Sequence, residues 1–271
     1  MSDREPTRGE VGQAALWLGR HGVAVAVPTR LLTIRLGVRG NAGPRSLRVR
    51  RAGVLLLALI GGVGYQCLQY LPDVRGVEMT ESKMAYFIVI GFHTAIWLGL
   101  RRADREAAAW LGARALEAPR PPGRGLLGGW HIASAVVTFA GGAALGVTMF
   151  LATPYRTYAW SWLGVLALGL VMCAVIVTGV LRRPVIAEDE ASLAVDAVLR
   201  REDLRLALPS GYAVLVLIDL VTTHRQPPGF APWLVAYAGL AVALQIVGAV
   251  ADRRHRTMLP EGSYGELRPV R

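Results

Sequence analysis

Six long apolar segments constrain this chain more than any other feature of its sequence. The clearest of them, residues 159–181 and 229–251, contain no charged residue. About 20 apolar residues in a helix cross a hydrocarbon core of about 30 Å. Inside that core the backbone polar groups must bond within the segment, which leaves the helix as the structure for such a stretch. The sequence therefore predicts an all-α fold, a polytopic transmembrane helix bundle.

The bundle is predicted to have six spans, which cover residues 53–71, 84–100, 126–151, 159–181, 204–223 and 229–251. The fifth has the shortest apolar part, because residues 210–223 rise only about 21 Å as a helix. We therefore place its start near Leu204, with a bend at Pro209. Omitting this span would put the basic segment 252–271 on the opposite side of the membrane from the other basic segments.

The positions of the cations predict how these spans are oriented. Of the 30 Lys and Arg residues, 26 lie in four segments and four lie in the connections between them. The four basic segments are residues 1–52, 101–125, 182–209 and 252–271. Cytoplasmic loops of membrane proteins carry an excess of Lys and Arg. Six spans place all four segments on that side, so we expect a multi-pass protein of the cell (cytoplasmic) membrane with both termini cytoplasmic.

The net charge of +11 is therefore first a signal of orientation and only then a signal of a partner. Arginine runs flank the spans directly, at Arg48, Arg50 and Arg51 and at Arg253, Arg254 and Arg256. Such clusters beside a membrane favour anionic lipid headgroups over nucleic acid. The expected partners are a bilayer with anionic headgroups on the cytoplasmic side and a cytoplasmic or membrane protein, and no nucleic acid.

Two amphipathic cytoplasmic helices are predicted, near residues 101–118 and 187–208. The second opens with acidic residues 188–190 and ends with arginines, an order that suits the helix dipole. Its apolar stripe is expected to lie on the bilayer interface or against a partner helix. The stripe consists of Leu193, Val195, Val198 and Leu199. In the first helix we expect Trp110 and Leu111 to be interfacial anchors.

The transmembrane domain, residues 53–251, is predicted to lie between a basic N-terminal segment, residues 1–52, and a basic tail, residues 252–271. Within the N-terminal segment, apolar and polar residues alternate over residues 32–38. A period of two is typical of a strand. We therefore expect a short strand there.

One face of the third span carries small or hydroxyl side chains at steps of four residues. These residues are Ser134, Thr138, Gly142 and Gly146. Small residues at this spacing permit close approach of two helix backbones in a membrane. We therefore expect this face to be used for helix packing.

Ionisable side chains within a span cost about 2.5–3.5 kcal/mol on insertion scales, and they often mark function. Asp219 and His93 are two such residues, and Gln66 matches the expected depth of Asp219. One interpretation is a ligand or proton pocket in the outer leaflet, formed by Asp219, Gln66 and His93. The alternative is structural, with Asp219 bonded to Thr222 or Thr223 and neutral His93 bonded to a backbone carbonyl.

No motif in the sequence predicts a catalytic residue, a cofactor or a metal. The Gly-x-Gly-x-x-Gly pattern at residues 123–128 follows no predicted strand, which argues against a dinucleotide site. The only lysine, Lys83, follows Ser82 and so cannot complete a Walker A motif. The five histidines lack the spacing of metal ligands. The acidic residues 188–190 are more typical of a solvated helix start than of a metal site.

Residues 182–185 (RRPV) and 192–200 (SLAVDAVLR) lead into the next span. This stretch resembles multi-pass membrane proteins of high-GC actinobacteria that have no assigned activity. The use of arginine in place of lysine, 29 to one, fits such a genome. The resemblance implies an association with exporter components, and it implies no catalytic residue.

These observations favour a non-enzymatic membrane component, either transport-associated or scaffolding, that docks a partner through its cytoplasmic helices. An alternative is the permease subunit of an exporter driven by a separate ATPase, which six spans and cytoplasmic termini also fit. The short connection 223–228 and the strand-like N-terminal segment argue against that alternative. A third hypothesis is a membrane-interface enzyme, for which the sequence offers no matched acid, base or metal set.

Overall fold

The computed structural model describes residues 5–39, 81–117, 126, 128–205, 211–213, 215, 226–254 and 258–267. In these residues the fold is mostly helical, with eight α-helices and one two-stranded sheet. The predicted all-α class therefore holds for most of this part of the chain, and the short sheet is the exception to it.

The first described segment forms α1 (Arg8–Arg20), β1 (Val25–Pro28) and α2 (Arg30–Leu36). α1 begins at a capping box: the Thr7 side chain accepts from the Glu10 backbone N–H, and Glu10 Oε2 accepts from the Thr7 backbone N–H at 2.8 Å. These reciprocal hydrogen bonds satisfy amides that have no partner within the helix. They fix the residue at which α1 starts.

The strand predicted over residues 32–38 is wrong, because most of these residues lie in α2. Thr29 starts the helix: its Oγ1 accepts from the Leu32 N–H at 3.4 Å, and its carbonyl accepts from Thr33 Oγ1 at 2.9 Å. A period of two indicates a strand when the polar positions face solvent. Here Thr33 and Arg35 are as buried as the leucines beside them, so the alternation did not report two faces of a strand.

α3 (Glu81–Leu111) is one continuous helix of 31 residues. It contains the predicted span 84–100 and runs without a break into residues 101–118, where a separate amphipathic helix was expected. A 3₁₀ turn, Gly112–Arg114, follows it. Gly112 has φ +50°, the left-handed conformation with which glycine commonly ends helices.

Three helical stretches in the described part of the chain are long and apolar enough to cross a membrane, namely Gly129–Ala152, Tyr158–Leu181 and Ala231–Ala251. They coincide with the predicted spans 126–151, 159–181 and 229–251. Large apolar side chains on them are exposed, among them Leu151, Trp160 and Trp233. Apolar surface of this kind is what a lipid environment would cover.

The first of these stretches consists of α4 (Gly129–Val136), a π-helical turn (Val137–Gly141) and α5 (Gly142–Ala152). The second lies within α6 (Arg156–Leu181). Together with residues 81–100 of α3 and the third apolar stretch, Ala231–Ala251, they form the helix bundle. The predicted first span, 53–71, and most of the fifth, 204–223, lie outside the described residues.

The last elements are α7 (Glu190–Arg205), α8 (Ala231–Arg254) and β2 (Gly265–Leu267). α7 lies within residues 187–208, where an amphipathic helix is predicted. Asp189 stands just before it, and its Oδ1 accepts from the Ser192 N–H at 2.7 Å. The acidic residues at this point therefore include a helix cap.

β1 and β2 pair antiparallel, with Val25 opposite Leu267 and Pro28 opposite Gly265. Gly265 has φ +137°, and a Cβ at this position would lie 2.7 Å from the Pro28 Cα atom. Only glycine fits so close to the neighbouring strand. The sheet thereby joins a segment that precedes all the described apolar helices to one that follows them.

We define the polar domain as residues 5–39, 101–117, 182–205 and 258–267. In its core, Val195 and Leu199 of α7 pack against Leu18 of α1, Leu32 of α2 and Tyr264. Because Val195 and Leu199 are fully buried by the chain itself, this part of the predicted stripe does not face a bilayer or a partner. That expectation was wrong for these two residues, while Leu193 and Val198 are partly exposed.

A second core in the polar domain lies beneath α3. Leu111, which we expected to be an interfacial anchor, is buried there against Leu31 and Ile186. Its neighbour Trp110 is partly buried, and the Arg114 guanidinium lies 4.2 Å from its ring centroid. The polar end of α3 is therefore packed inside a folded domain.

Candidate functional site

Seven charged side chains form one buried arginine–aspartate cluster in the polar domain. Its members are Arg35, Arg39, Asp104, Arg183, Asp196, Arg200 and Asp203. Arg35 and Arg200 are each only 1% exposed, and Asp203 is fully buried. Charged side chains are almost never buried to this extent unless they are paired.

Separate elements bring these side chains together. Arg35 lies on α2, Asp104 on α3, and Arg183 just after the end of α6. α7 supplies three members at positions i, i+4 and i+7, which are Asp196, Arg200 and Asp203. This spacing places them on one face of the helix. The cluster therefore joins segments that are far apart in the sequence.

Arg35 is bonded on three sides. Its Nε donates to Asp104 Oδ1 at 3.2 Å, and its Nη2 donates to Asp196 Oδ1 at 2.6 Å. Its Nη1 donates to the backbone carbonyl of Ile186 at 2.9 Å. One guanidinium thus connects α2 to α3, to α7 and to the segment that precedes α7.

Arg183 bridges all three aspartates. Its Nη1 donates to Asp104 Oδ2 and, at 2.9 Å, to Asp203 Oδ2, while its Nη2 is 3.4 Å from Asp196 Oδ1. Arg39 binds Asp203 in a bidentate manner, through Nη1 to Oδ1 and through Nη2 to Oδ2 at 3.1 Å. Bidentate pairs of this kind are strong and fix geometry as well as energy.

Arg200 links the cluster to the end of α6. Its Nε donates to Asp196 Oδ2 at 2.7 Å. Its Nη1 donates to the carbonyls of Val180 (3.2 Å) and Arg183 (3.0 Å), and its Nη2 donates to that of Pro184 at 2.7 Å. The last carbonyls of a helix have no partner within it and carry partial negative charge. Arg200 binds one of them, the carbonyl of Val180, and gains a favourable site for its own charge.

The four guanidinium groups and three carboxylates leave one positive charge in excess. Burial alone would raise the pKa of Asp104, but Arg183, Arg35 and Arg39 outweigh it and hold that pKa below its ordinary value. Burial lowers the pKa of Arg35, against the opposing effect of Asp104 and Asp196. Arginine nevertheless stays charged in proteins. Asp104 and Arg35 are therefore oppositely charged at neutral pH.

This chemistry favours a structural clamp over acid–base catalysis. A general acid or base needs a pKa near the working pH, and the pKa of Asp104 is moved away from it. Removal of one partner from a buried ion pair typically lowers the stability of the fold by about 3–5 kcal/mol. In the described part of the chain, no group of three or more His, Cys, Asp or Glu residues is arranged to hold a metal ion.

The predicted outer-leaflet pocket can be located only through His93. That residue lies on α3, partly buried, with its ring centroid 6.5 Å from that of Tyr212. Asp219 and Gln66 lie outside the described residues. The pocket therefore stays a prediction.

The small-residue face of the third span contacts α8 through hydrogen bonds. Ser134 Oγ lies 3.1 Å from the carbonyl of Ala241 and 3.2 Å from Gln245 Oε1. Tyr237 Oη donates to the carbonyl of Thr138 at 2.7 Å. Thr138 belongs to the π-helical turn, so this widened turn has a partner on α8.

The two glycines of this face lie against α6 and α8. A Cβ at Gly142 would lie 2.7 Å from Tyr237 Oη and 2.8 Å from Leu166 Cδ1. A Cβ at Gly146 would lie 2.7 Å from Leu163 Cδ2. Both helices therefore approach closely where the side chain is missing.

Sequence reasoning missed the arginine–aspartate cluster as a site. A usable signal was present on α7, where Asp196, Arg200 and Asp203 recur at helical spacing beside the apolar residues Val195 and Leu199. Charges within the apolar stripe of an amphipathic helix indicate buried partners, because unpaired charges there would be costly. The partners Arg35 and Asp104 could not be identified from that pattern.

No protein-family model, curated protein or solved structure is significantly similar to this chain.

Proposed function

We propose that this chain is a non-enzymatic, multi-pass component of the cytoplasmic membrane, transport-associated or scaffolding, whose polar domain lies on the cytoplasmic side. The observation that carries this proposal is the convergence of all four basic segments in one domain. The arginine–aspartate cluster joins residues from 1–52, 101–125 and 182–209, and β2 adds residues from 252–271. The excess of cations in these segments supports the cytoplasmic side.

The same convergence supports six spans. Segments that pack into one domain lie on the same side of a membrane, so the chain must cross an even number of times between them. Only α8 is described as an apolar helix between residues 205 and 258, which requires a second crossing and supports the span over 204–223. If residues 81–100 of α3 cross the membrane as the sequence predicts, the same reasoning calls for a partner crossing and supports the span over 53–71.

A topology experiment tests this arrangement. A reporter that is active only in the periplasm, fused after Arg271, should be silent. The same reporter inserted after Pro154, in the connection between α5 and α6, should be active. Activity after Arg271 or silence after Pro154 would contradict the six-span orientation.

A scaffold role is supported by how firmly the polar domain is attached to the membrane helices. α3 runs from the bundle into the domain without interruption. Arg200 binds the carbonyl end of α6, and Asp104 on α3 binds Arg35 and Arg183. A protein that docks on the polar domain is thereby held in a fixed relation to the bundle. Each carboxylate of the cluster is paired with arginines, which argues against its use as a catalytic centre.

The permease alternative is favoured by one feature, the continuous α3. A helix of 31 residues shared by the bundle and the polar domain would transmit a movement from a cytoplasmic ATPase to the membrane helices. Under this alternative the docked protein is an ATP-binding subunit. Under the main proposal it is another transporter component or a membrane-associated protein.

Purification of the full chain in mild detergent, followed by native mass spectrometry, separates these roles. We expect a stoichiometric protein partner that is lost in Asp196→Asn, which breaks the cluster, and kept in Glu106→Gln, which removes an exposed carboxylate. An ATP-binding partner would favour the permease. A lone oligomer, or lipid turnover by the purified protein, would contradict the proposal.

A further inference from the structure

We propose that a groove between α3 and α6 binds an anionic phospholipid, with arginines holding its phosphate and the apolar floor holding its first acyl carbons. The groove has a volume of about 480 Å³. It is lined by Trp97, Leu98, Arg101, Arg102, Arg105, Val175 and Gly179. This pocket is separate from the arginine–aspartate cluster and shares no residue with it.

The cationic side of the groove is a stripe along α3. Trp97, Arg101 and Arg105 follow at steps of four residues, which places them on one helix face. The Arg101 guanidinium lies 5.2 Å from the Trp97 ring centroid, and its Nη1 is 3.4 Å from the carbonyl of Gly179. A guanidinium has five N–H donors. The aromatic contact and this one hydrogen bond orient Arg101 while leaving it capable of binding a phosphate.

Gly179 allows the groove to form. A Cβ at this position would collide with Cζ2 of the Trp97 ring and lie 2.8 Å from its Cη2. Without a side chain there, the indole lies directly against α6 and forms the wall between the helices. Tryptophan is enriched at membrane–water interfaces, where a polar and an apolar environment meet.

The apolar side of the groove is open to the surroundings of the bundle. Leu98 is 57% exposed and Val175 is 48% exposed. Both belong to the apolar parts of their helices, and Leu98 lies one helical turn before Arg102. An amphipathic ligand with a charged head and an apolar chain would cover both surfaces at once.

The position of the groove along α6 matches the boundary of the hydrocarbon core. The apolar stretch of α6 ends at Leu181. At 1.5 Å per residue, Gly179 lies about 3 Å and Val175 about 9 Å before that end. The headgroup region begins where the hydrocarbon core ends. The arginines are therefore at phosphate depth, and Val175 and Leu98 are at acyl-chain depth.

The charges at the groove are complementary to a phosphate. Arg101, Arg102 and Arg105 line it, and Glu106 Oε1 accepts from Arg102 Nε at 2.8 Å. Arginine binds phosphate oxygens in bidentate fashion. Basic pockets between membrane helices on the cytoplasmic side bind anionic headgroups. A free phosphate would satisfy the arginines and leave the apolar floor uncovered, so we assign the site to a lipid.

Lipid titration of the detergent-purified full chain, read by native mass spectrometry, tests the site. The probes are phosphatidylglycerol, phosphatidylcholine of the same chain length, and inorganic phosphate. We expect the double variant Arg101→Gln/Arg105→Gln to weaken phosphatidylglycerol binding about 25-fold, at about fivefold per arginine. The matched control is Arg156→Gln, an exposed arginine at the opposite end of α6, which should leave binding unchanged.

Three results would overturn the assignment. They are equal binding of phosphatidylcholine, unchanged binding by the double variant, and displacement of phosphatidylglycerol by millimolar phosphate, which would indicate a free-phosphate site. If the double variant fails to fold, the single variant Arg105→Gln serves instead, because that side chain is exposed. We expect it to bind phosphatidylglycerol about fivefold more weakly, and unchanged binding would again count against the site.

This inference rests on the proposed membrane placement of α3 and α6, and not on the proposed protein partner. Loss of lipid binding with an intact partner complex would overturn the lipid site alone. Lipid binding without any partner would overturn the scaffold proposal alone.

Discussion

The helix bundle and the polar domain are held together by opposite means. In the bundle, helices approach where side chains are missing, at Gly142 and Gly146, and single hydrogen bonds such as that of Tyr237 join them. In the polar domain, arginine and aspartate side chains are buried and pair with one another. Within a lipid environment, packing and isolated hydrogen bonds drive association. The polar domain is assembled from segments that are distant in the sequence. It is held together instead by long charged side chains, whose hydrogen bonds are directional.

Two ion pairs of nearly the same geometry show how much the environment matters. Arg200 and Asp196 on α7 pair at 2.7 Å, and Arg102 and Glu106 on α3 pair at 2.8 Å, each through Nε and each four residues apart. The first pair is 1–2% exposed and the second is 52–54% exposed. Water screens the second pair, and only the first is tied into a network. An arginine–carboxylate pair therefore stabilises the structure where it is buried and contributes little where it is exposed.

The largest effect is expected from Asp196→Asn. This carboxylate accepts from Arg35, Arg183 and Arg200, so its neutralisation leaves a larger excess of buried positive charge. We expect the polar domain to lose about 3–5 kcal/mol of stability. Hydrogen exchange of the α7 amides should accelerate, while exchange in α5 and α6 stays unchanged. Equal acceleration in both regions would show that they do not differ in the way described.

The second-largest effect is expected from low pH, to which the polar domain and the bundle should respond differently. Because the folded-state pKa of Asp104 is below its ordinary value of 3.8, its stabilising contribution is fully present above that value and lost as the pH falls through the lower, folded-state value. Proteolysis of residues 182–205 at decreasing pH should report the loss. Asp104→Asn should flatten this pH dependence. A loss of stability that begins well above about pH 4 would contradict the lowered pKa of Asp104.

Gly142→Ala should destabilise the bundle and leave the polar domain intact. The added Cβ would lie under 3 Å from both Leu166 and Tyr237, and overpacking of this kind costs about 1–3 kcal/mol. Thermal unfolding in detergent measures the change. Gly164→Ala is the matched control, because a Cβ there meets nothing within 4 Å. If both variants melt alike, close packing at Gly142 is not what holds these helices.

Glu106→Gln should have the smallest effect. It removes the exposed partner of Arg102, and exposed pairs of this spacing contribute about 0.3–0.5 kcal/mol. The melting temperature should change by no more than a degree or so, and high salt should abolish even this difference. A loss comparable to that of Asp196→Asn would remove the contrast between the two ion pairs.

The apolar helices could be predicted from the sequence because their signal is local. A long uncharged run such as 159–181 has one physical outcome in a membrane, and α6 coincides with it. The polar domain was harder because its signals are not local. The alternation over residues 32–38 is consistent with a strand until the burial of Arg35 by distant residues is known.

The candidate site was predictable only in part for the same reason. The helical spacing of Asp196 and Arg200 is visible in the sequence, but their pairing with Arg35 and Asp104 depends on how three other segments fold. The small-residue face that includes Ser134 could be identified from the sequence, because its spacing is a property of a single helix. Its contact with the Ala241 carbonyl involves one neighbouring helix.

The pairing of β1 with β2 also bears on biosynthesis. β1 leaves the ribosome before the described apolar helices are made, and β2 leaves after all of them. The two strands can therefore pair only after all of the described apolar helices have been synthesised. Closure of this small sheet, with Gly265 against Pro28, is therefore a late step of folding that a partly synthesised chain lacking β2 cannot complete.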